Sequence, residues 1–191
     1  MNKTRLEAFS DGVIAIIITI MVLELKVPSG NDWNSLRPLL PVFLGYILSF
    51  IYIGIYWNNH HHMLHTVSRV NGKILWANLH LLFWLSLIPF VTGWMGQNPV
   101  VPLPNALYGV VLFMSAIAYT ILQGCIISTH GGQDSLLARA VAKDRKGKVS
   151  LLLYLVAIVM AFCNEWGADV IYVLVAVLWL IPDPRIERVL D

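Results

Sequence analysis

The sequence predicts an all-α membrane protein with six transmembrane helices per subunit. Of its 191 residues, 58% are hydrophobic and only 13% are charged, whereas about a quarter of the residues in a soluble domain carry charge. Apolar segments recur along the chain, most of them close to the roughly 20 residues that cross a bilayer. Lysine and arginine residues cluster between alternate segments, as in oriented membrane proteins. These three observations leave no room for a separate soluble domain, so residues 1–191 are predicted to form a single transmembrane domain.

Prolines, glycines and polar clusters separate six apolar segments. Pro28 ends the first segment, Pro38 opens the second and Pro89 lies near the end of the third. A group of prolines precedes the fourth segment, and the last two form a tight hairpin. We expect these last two to be short for a complete crossing, which needs about 20 residues. The predicted spans are residues 5–27, 36–57, 72–94, 105–128, 149–162 and 168–181.

The distribution of cations predicts which ends of the helices face the cytoplasm. If the N-terminus is cytoplasmic, only Lys26 and Arg37 of the thirteen lysine and arginine residues lie outside. Cytoplasmic loops carry such an excess of positive charge, and an even number of spans returns the C-terminus to the same side. We therefore expect a multi-pass protein of the cell membrane, with residues 129–148 as a cytoplasmic basic loop. The cations assigned to the cytoplasmic side are Lys3, Arg5, Arg69, Lys73, Arg139, Lys143, Arg145, Lys146, Lys148, Arg185 and Arg188.

Composition and residue pattern exclude several classes of function. A net charge of +2 does not indicate the basic surface that binds nucleic acid, so we expect no nucleic-acid partner. No nucleophile with a neighbouring base lies at membrane depth, so we expect neither an enzyme nor a cofactor. His60, His61, His62 and His65 include metal-ligand spacing, but no carboxylate accompanies them as in helix-borne zinc sites. A structural role is favoured over pH sensing or metal binding, and no metal site is predicted.

The first span carries the most informative pattern in the chain. Arg5 and Phe9, followed directly by Ser10 and Asp11, lead into an apolar helix whose central polar residue is Thr19. The Thr19 hydroxyl either bonds a backbone carbonyl three or four residues earlier, which is the common arrangement, or points into a water-filled path. At about 100° per residue, one narrow face of the helix, which we call the stripe, holds Phe9, Gly12, Ile16, Thr19 and Leu23.

Asp11 lies about 140° from Ile16 on the same helix, so we expect it to face packed protein. A carboxylate in that setting needs polar partners, and the inside ends of the second and third spans lie at its depth. We predict that Ser10 and Asp11 bond with side chains there and that this network fixes the angle of the first helix. Arg5 either closes the network or lines the inner mouth. The candidates at this depth are Asn58, Asn59, His60, His61, His62, Trp76, Asn78 and His80, and of these His60, Trp76, Asn78 and His80 are assigned to the network.

These motifs resemble the signature of the TMEM175 family of potassium channels, in its prokaryotic single-repeat form. The run from Arg5 through Phe9, Ser10 and Asp11 carries the specific part of the resemblance. It covers the whole chain and implies that residues 1–191 form one six-helix channel domain, four copies of which make a homotetramer around the first helix. Softer agreement follows along the second and third spans, at Tyr56, Trp57, His60, Asn78, Leu79, Ser86, Pro89 and Phe90.

The resemblance implies a potassium-selective ion channel without a P-loop filter. Carried over by position in the motif, the constricting layers fall on Ile16, Thr19 and Leu23. A ring of isoleucine offers no oxygen to an ion, so it would act as a hydrophobic constriction that opens by wetting. The Thr19 hydroxyls could then bind a partly hydrated potassium ion. The alternative is a proton or weakly selective cation leak along a file of water. A transporter is less favoured, because no internal repeat or broken central helix is evident.

Overall fold

The structure of the chain is a computed structural model that describes residues 2–132, 135, 137–138 and 145–180. All regular secondary structure in these residues is helical, which confirms the all-α prediction. A short 3-10 helix, Arg37–Leu39, joins the second α-helix to the third. The α-helices are α1 (Lys3–Leu23), α2 (Trp33–Leu36), α3 (Leu40–His65), α4 (Gly72–Ser86), α5 (Ile88–Gln97), α6 (Pro102–Thr129), α7 (Arg145–Met160) and α8 (Glu165–Leu180).

Among the described residues, four helical segments are long and apolar enough to cross a membrane. They are Lys3–Leu23, Trp33–His65, Gly72–Gln97 and Pro102–Thr129. Helices α7 and α8 have 16 described residues each. Helix α7 starts, and α8 stops, next to residues that lie outside the described part of the chain. The described residues of the six predicted segments are therefore largely helical, and the shortness of the last two spans stays a prediction.

Polar side chains begin three of the helices, namely α1, α2 and α4. The side chain of Asn2 accepts a hydrogen bond from the N–H of Thr4 at 3.2 Å, and that of Asn71 accepts from the N–H of Ile74 at 3.0 Å. Asp32 begins α2 in the same way. These bonds satisfy backbone donors that the first turn of a helix leaves free, so the start of each of these helices is encoded by a local residue.

Helix α3 extends beyond the end that the sequence predicted for the second span. The prediction stopped at Trp57, where polar residues begin, but the helix continues to His65. His60, Met63 and Leu64 are buried in this last part, so packing against neighbouring helices holds the polar turns in helical form. The predicted end was wrong, and the group of histidines is part of α3.

The predicted third span consists of two helices. Helix α4 ends at Ser86 and α5 begins at Ile88, with Pro89 in its first turn. Proline lacks the N–H that would continue α4, and its ring clashes with the carbonyl four residues earlier. The chain therefore changes from one helix to the next at Leu87, and the predicted third span, residues 72–94, consists of α4 followed by α5 and lies within the candidate span Gly72–Gln97.

Helix α7 begins at Arg145, before the start predicted for the fifth span. Arg145, Lys146 and Lys148 therefore belong to a helix, and Thr129 is the last residue of α6. Most other residues of the predicted basic loop lie outside the described residues. Residues 181–191 lie outside them as well, so the cytoplasmic position of these segments stays a prediction.

Hydrogen bonds between helix termini define two ends of the bundle. Lys3 Nζ at the start of α1 donates to the carbonyl oxygen of His65 at the end of α3, at 3.1 Å. The side chain of Asn71, which precedes α4, donates to Thr129 Oγ1 at the end of α6, at 3.0 Å. We call this the basic end because the cations flanking α1 and α4 lie here, and the opposite one the far end. Long helices that follow one another therefore run in opposite directions.

Helices α1 and α6 occupy different positions in the bundle. Helix α6 packs against α4, α5, α7 and α8, so neighbours lie on several sides of it. Helix α1 packs against α3, α4 and α5, which cover only one of its faces. Helices α3 and α5 approach each other closely, since a Cβ atom added at Gly96 would lie 2.7 Å from the Cα atom of Val42. Such glycine contacts are typical of helices that pack within a membrane.

Candidate ion pathway

Helix α1 has one face buried within its own chain and one face exposed. All five residues of the stripe are exposed, and Leu23 at its far end is 75% exposed. The stripe therefore lies outside the packed core of the chain, as a surface that faces a pore or another copy must. The residues of α1 that are buried instead are Leu6, Ser10, Ile14, Ile17 and Met21.

The exposed side of α1 is wider than the stripe. Ala15 and Val22 are exposed as well, although they lie about 100° and about 120° from Ile16 around the helix. These flanking positions leave room for a neighbouring copy beside the stripe. Val22 also offers a position that is exposed on the same helix but lies outside the predicted pathway.

Thr19 makes the local hydrogen bond that its sequence context favoured. Its Oγ1 donates to the carbonyl oxygen of Ala15 at 2.9 Å. A hydroxyl has one hydrogen to donate and two lone pairs, so this bond leaves Thr19 with only acceptor capacity on the exposed side. A cation needs oxygen lone pairs, so the local bond is compatible with ion binding at the same residue.

A buried chain of hydrogen bonds joins α1 to α4 and α3. The amide Nδ2 of Asn78 donates to Ser10 Oγ at 3.0 Å, and Ser10 Oγ donates to the carbonyl oxygen of Leu6 at 2.9 Å. The amide oxygen Oδ1 of Asn78 lies 2.7 Å from His60 Nε2. All three side chains are buried. The structure thus brings together Ser10, Asn78 and His60 from the predicted network.

The direction of each bond in this network follows from the groups available. Asn78 turns its NH2 group towards Ser10, so its oxygen faces His60 and can only accept a hydrogen bond. His60 Nε2 is therefore the nitrogen that carries a hydrogen and donates it to Asn78. One amide acts as donor towards α1 and as acceptor towards α3, which neither leucine nor an ionised aspartate could do at this position.

Asp11 lies in a different environment from the one predicted. Its side chain is exposed, and its Oδ1 accepts a hydrogen bond from Trp57 Nε1 at 3.0 Å. The prediction that Asp11 faces packed protein was wrong, because the packed face of α1 includes Ser10 and Asp11 lies about 100° further around the helix. Trp57 was not among the predicted partners of Asp11. Its position in α3, one turn before His60, is the feature of the sequence that could have identified it.

Three other residues of the predicted network lie outside this chain of bonds. Trp76 is 75% exposed, and His80 accepts a hydrogen bond from Trp84 Nε1 at 3.0 Å within α4. Both lie about 160° from Asn78 around α4, so of these three residues only Asn78 can face α1, and the assignment of Trp76 and His80 to the network was wrong. Arg5 is exposed, its side chain forms no hydrogen bond or ion pair with other described residues, and it lies about 20° from Ile16 around α1.

The histidines near the end of α3 lie in different environments. His60 belongs to the buried network, whereas His61 and His65 are exposed and their ring centroids lie 4.8 Å apart in an edge-to-face arrangement. Within the described part of the chain, no group of three or more histidine, cysteine, aspartate or glutamate side chains could hold a metal ion. A structural or interfacial role for the exposed histidines stays a prediction.

A second buried polar cluster was not predicted. Ser49 Oγ lies 2.7 Å from Thr92 Oγ1 and 3.0 Å from the Tyr108 hydroxyl, so the cluster joins α3, α5 and α6. All three side chains are buried. Each of them is a single hydroxyl in an apolar run, and such a residue gives no periodic signal. Only the meeting of three helices makes them a cluster.

This chain is similar in sequence to known channels over the region that contains the stripe and the buried network. The sequence model of the TMEM175 family, described as endosomal/lysosomal potassium channel TMEM175, matches residues 5–89, which include the stripe and the buried network. A potassium channel from Chryseobacterium sp. (strain P1-3) is 58% identical over 98% of this chain and 97% of its own length. The similarity to this bacterial relative therefore extends over both chains almost completely.

A solved structure and a vertebrate protein are also similar to this chain. The crystal structure of a lysosomal potassium-selective channel TMEM175 homolog from Chamaesiphon minutus has a TM-score of 0.77 and 27% identity, covering 94% of this chain and 96% of the solved one. The endosomal/lysosomal proton channel TMEM175 of Danio rerio is 30% identical over 68% of this chain, but the match covers only 25% of that protein. The fold of the whole chain is thus similar to that of a solved channel subunit.

Proposed function

The chain belongs to the TMEM175 family, and on this premise we propose that it is a potassium-selective ion channel. In this proposal, four copies form a homotetramer in the bilayer, and their α1 helices surround an axial pore. The narrow part of the pore consists of the rings formed by Ile16, Thr19 and Leu23. The conducted ion is K⁺, and no cofactor takes part. Ion channels are not enzymes, and no enzymatic activity is proposed.

One observation carries the proposal: the stripe is exposed, while the opposite face of α1 packs within its own chain. A single helix cannot enclose a pore, so copies of α1 must meet around an axis, and cyclic symmetry supplies that closure. The names of the bacterial relative and of the solved homolog support potassium as the ion. The number of four copies comes from the family resemblance.

The chemistry of the stripe supports a constriction rather than a filter of carbonyl groups. Ile16 and Leu23 lie about 10 Å apart along the helix axis, and both present only carbon atoms. Thr19 between them presents an oxygen with free lone pairs, because its hydrogen is used by Ala15. An ion would lose part of its hydration at the apolar rings, where wetting controls passage. Ions with tighter hydration shells would lose more, which favours K⁺ over Na⁺.

The proposal is tested by replacing stripe residues and measuring ion selectivity. Purified protein in planar bilayers gives the reversal potential under potassium and sodium gradients. We expect Ile16→Ala and Thr19→Ala each to reduce the preference for K⁺ over Na⁺, because the first widens an apolar ring and the second removes the oxygen. Val22→Ala is the matched control, since Val22 is exposed on α1 outside the stripe. Unchanged selectivity in both stripe variants would contradict the proposal.

The alternative is a proton or weakly selective cation leak. Two observations favour testing this alternative. The Danio rerio relative is named a proton channel, and a narrow, partly apolar pore can pass protons along a file of water. The same bilayers with a pH gradient and with potassium and sodium absent distinguish the two functions. A reversal potential that follows the proton gradient would support the leak, whereas negligible proton current would support the potassium channel.

The buried network and the exposed contact between Asp11 and Trp57 would together set the angle of α1 relative to the rest of the subunit. Ser10 and Asp11 are neighbours on α1, and each is held by a different helix: Asn78 of α4 holds Ser10, and Trp57 of α3 holds Asp11. Loss of either contact would release one side of α1 and change the width of the pore. Arg5 lies on the same face as Ile16 and is assigned to the inner mouth, where its charge would face the entering ions.

The cytoplasmic side is assigned to the basic end. The start of α1 and the start of α4 lie together there, and these segments carry cations that the positive-inside rule places in the cytoplasm. The protein is accordingly proposed to lie in the cell membrane with a cytoplasmic N-terminus and a cytoplasmic basic loop at residues 129–148. In a variant in which Cys125 and Cys163 are replaced by serine, the accessibility of single cysteines introduced before α1 and after α5 to a membrane-impermeant thiol reagent tests this orientation.

A further inference from the structure

A groove at the far end of the bundle lies beside the C-terminal end of α1, next to α2 and the first turns of α3. Its volume is about 550 Å³, and its lining includes Trp33, Leu36, Leu40 and Phe43. All four of these side chains are exposed, and Trp33 is 84% exposed. Trp33 is the first residue of the candidate membrane span Trp33–His65, and tryptophan at the end of such a span is typical of the level of lipid headgroups. The groove is an apolar surface that an occupant must cover.

Two cations line the same groove, namely Lys26 and Arg37. Both are exposed. They are the two lysine or arginine residues of the chain, out of thirteen, that the charge distribution places on the less basic side of the membrane. Positive charge is disfavoured in short segments on that side, so the orientation of the chain does not explain the positions of these two residues. Both line the same apolar groove, and a function of that groove would explain why they are there.

The charge of these two cations is not neutralised within the described part of the chain. Neither Lys26 nor Arg37 forms an ion pair there. Hydrogen bonds from the hydroxyl and the N–H of Ser35 hold the pKa of Asp32 below its usual value, so Asp32 is ionised but is used to begin α2. Glu24 turns towards α5. The groove therefore combines apolar walls with two positive charges that form no ion pair with any described residue.

We infer that this groove binds an anionic glycerophospholipid from the surrounding leaflet. The phosphate would lie between Lys26 and Arg37, because an arginine fork and a lysine ammonium are strong donors to phosphate oxygens. An acyl chain would run along Leu40 and Phe43 of α3, towards the centre of the membrane. A zwitterionic lipid would cover the apolar walls, but its headgroup would place a further positive charge beside Lys26 and Arg37. A second copy of the chain, related by cyclic symmetry, would bring the same two cations to the same height.

Fluorescence quenching by brominated lipids tests this inference on the full-length protein. The protein is placed in phosphatidylcholine vesicles that contain a small fraction of dibrominated phosphatidylglycerol or, separately, of dibrominated phosphatidylcholine. The chain has seven tryptophans, so the signal of Trp33 is taken as the difference between the wild type and Trp33→Phe. We expect the anionic lipid to quench Trp33 several-fold more strongly than the zwitterionic lipid at equal mole fraction.

Variants and competition identify the groups responsible. The double variant Lys26→Gln/Arg37→Gln should lose the excess quenching by the anionic lipid, whereas Lys73→Gln, at the basic end, should retain it. Unlabelled phosphatidylglycerol should relieve the quenching in the wild type, and unlabelled phosphatidylcholine should not. The competition needs no charge-removing variant, so it remains decisive if the double variant fails to fold.

Three outcomes would overturn the inference. Equal quenching by the two brominated lipids would show that the groove does not select charge. Excess quenching that survives the double variant would place the selectivity elsewhere. Failure of both lipids to quench Trp33 would show that another copy of the chain covers the groove. Ion flux is not measured in this experiment, so its result is independent of whether the protein conducts potassium.

Discussion

Helix α1 and the α4–α5 segment differ in the relation between hydropathy and burial. Within Lys3–Leu23, an 18-residue stretch has a mean hydropathy of 2.1, yet only 28% of that stretch is buried within the chain, whereas the corresponding stretch of Gly72–Gln97 has a lower hydropathy of 1.8 and is 50% buried. The less apolar segment is the more buried one. In a membrane, apolar composition indicates contact with lipid or with another copy as readily as contact with the core.

The polar residues of the two segments explain this difference. Asn78 and Thr92 of the α4–α5 segment are buried and hydrogen-bonded to other helices, because a polar group inside a membrane protein needs a partner. Thr19 of α1 bonds only to its own turn. Changes in the α4–α5 segment should therefore lower stability, whereas changes in the stripe of α1 should alter conduction with little loss of stability within one subunit.

The largest expected effect is that of a cavity in α4. Leu81 is completely buried, and Leu81→Ala should lower the free energy of unfolding by about 2–5 kcal/mol, because the lost contacts are not replaced. Phe83→Ala in the same helix is the control, since Phe83 is exposed and lipid replaces its contacts. Titration with sodium dodecyl sulfate in mixed micelles measures both values. Equal losses in the two variants would show that burial within the chain does not decide which apolar residues of this segment stabilise it.

A smaller loss is expected where α5 meets α3. Gly96→Ala would place its Cβ 2.7 Å from the Cα of Val42, and since that neighbour is backbone, the helices must separate at a cost of about 1–3 kcal/mol. Gly54→Ala is the matched control, because a Cβ there would meet no atom within 4 Å. The same titration should show a loss for Gly96→Ala only. Equal stability of the two variants would mean that α3 and α5 can move apart freely.

The smallest loss of stability is expected at the contact between the two segments. Asn78→Leu removes both the donor to Ser10 and the acceptor from His60, at a cost of about 1 kcal/mol, as for other hydrogen bonds between helices in membranes. We expect a larger effect on potassium flux into vesicles, because α1 loses its tie to α4. Asn58→Leu, at an exposed position of α3, is the control. If Asn78→Leu has the flux and stability of the wild type, the buried network does not control the position of α1 in the pore.

The sequence predicted part of the buried network because its residues lie at one depth. Ser10, Asn78 and His60 were assigned to a common network from their positions near the ends of three predicted spans, and they meet in the structure. Trp76 and His80 lie at the same depth but on the other side of α4. Depth follows from the count of residues along a helix, whereas the side that faces a neighbour depends on how helices rotate against each other.

The sequence by itself determined the helical class, the approximate spans and the periodic stripe of α1, because these depend on hydropathy and on the repeat of the helix. The tertiary structure decided that α3 continues to His65, that Asp11 is exposed and bound by Trp57, and that Ser49, Thr92 and Tyr108 form one cluster. Each of these features depends on contacts between helices distant in sequence. A single helix does not encode such contacts, since lipid and protein present similar apolar surroundings to its side chains.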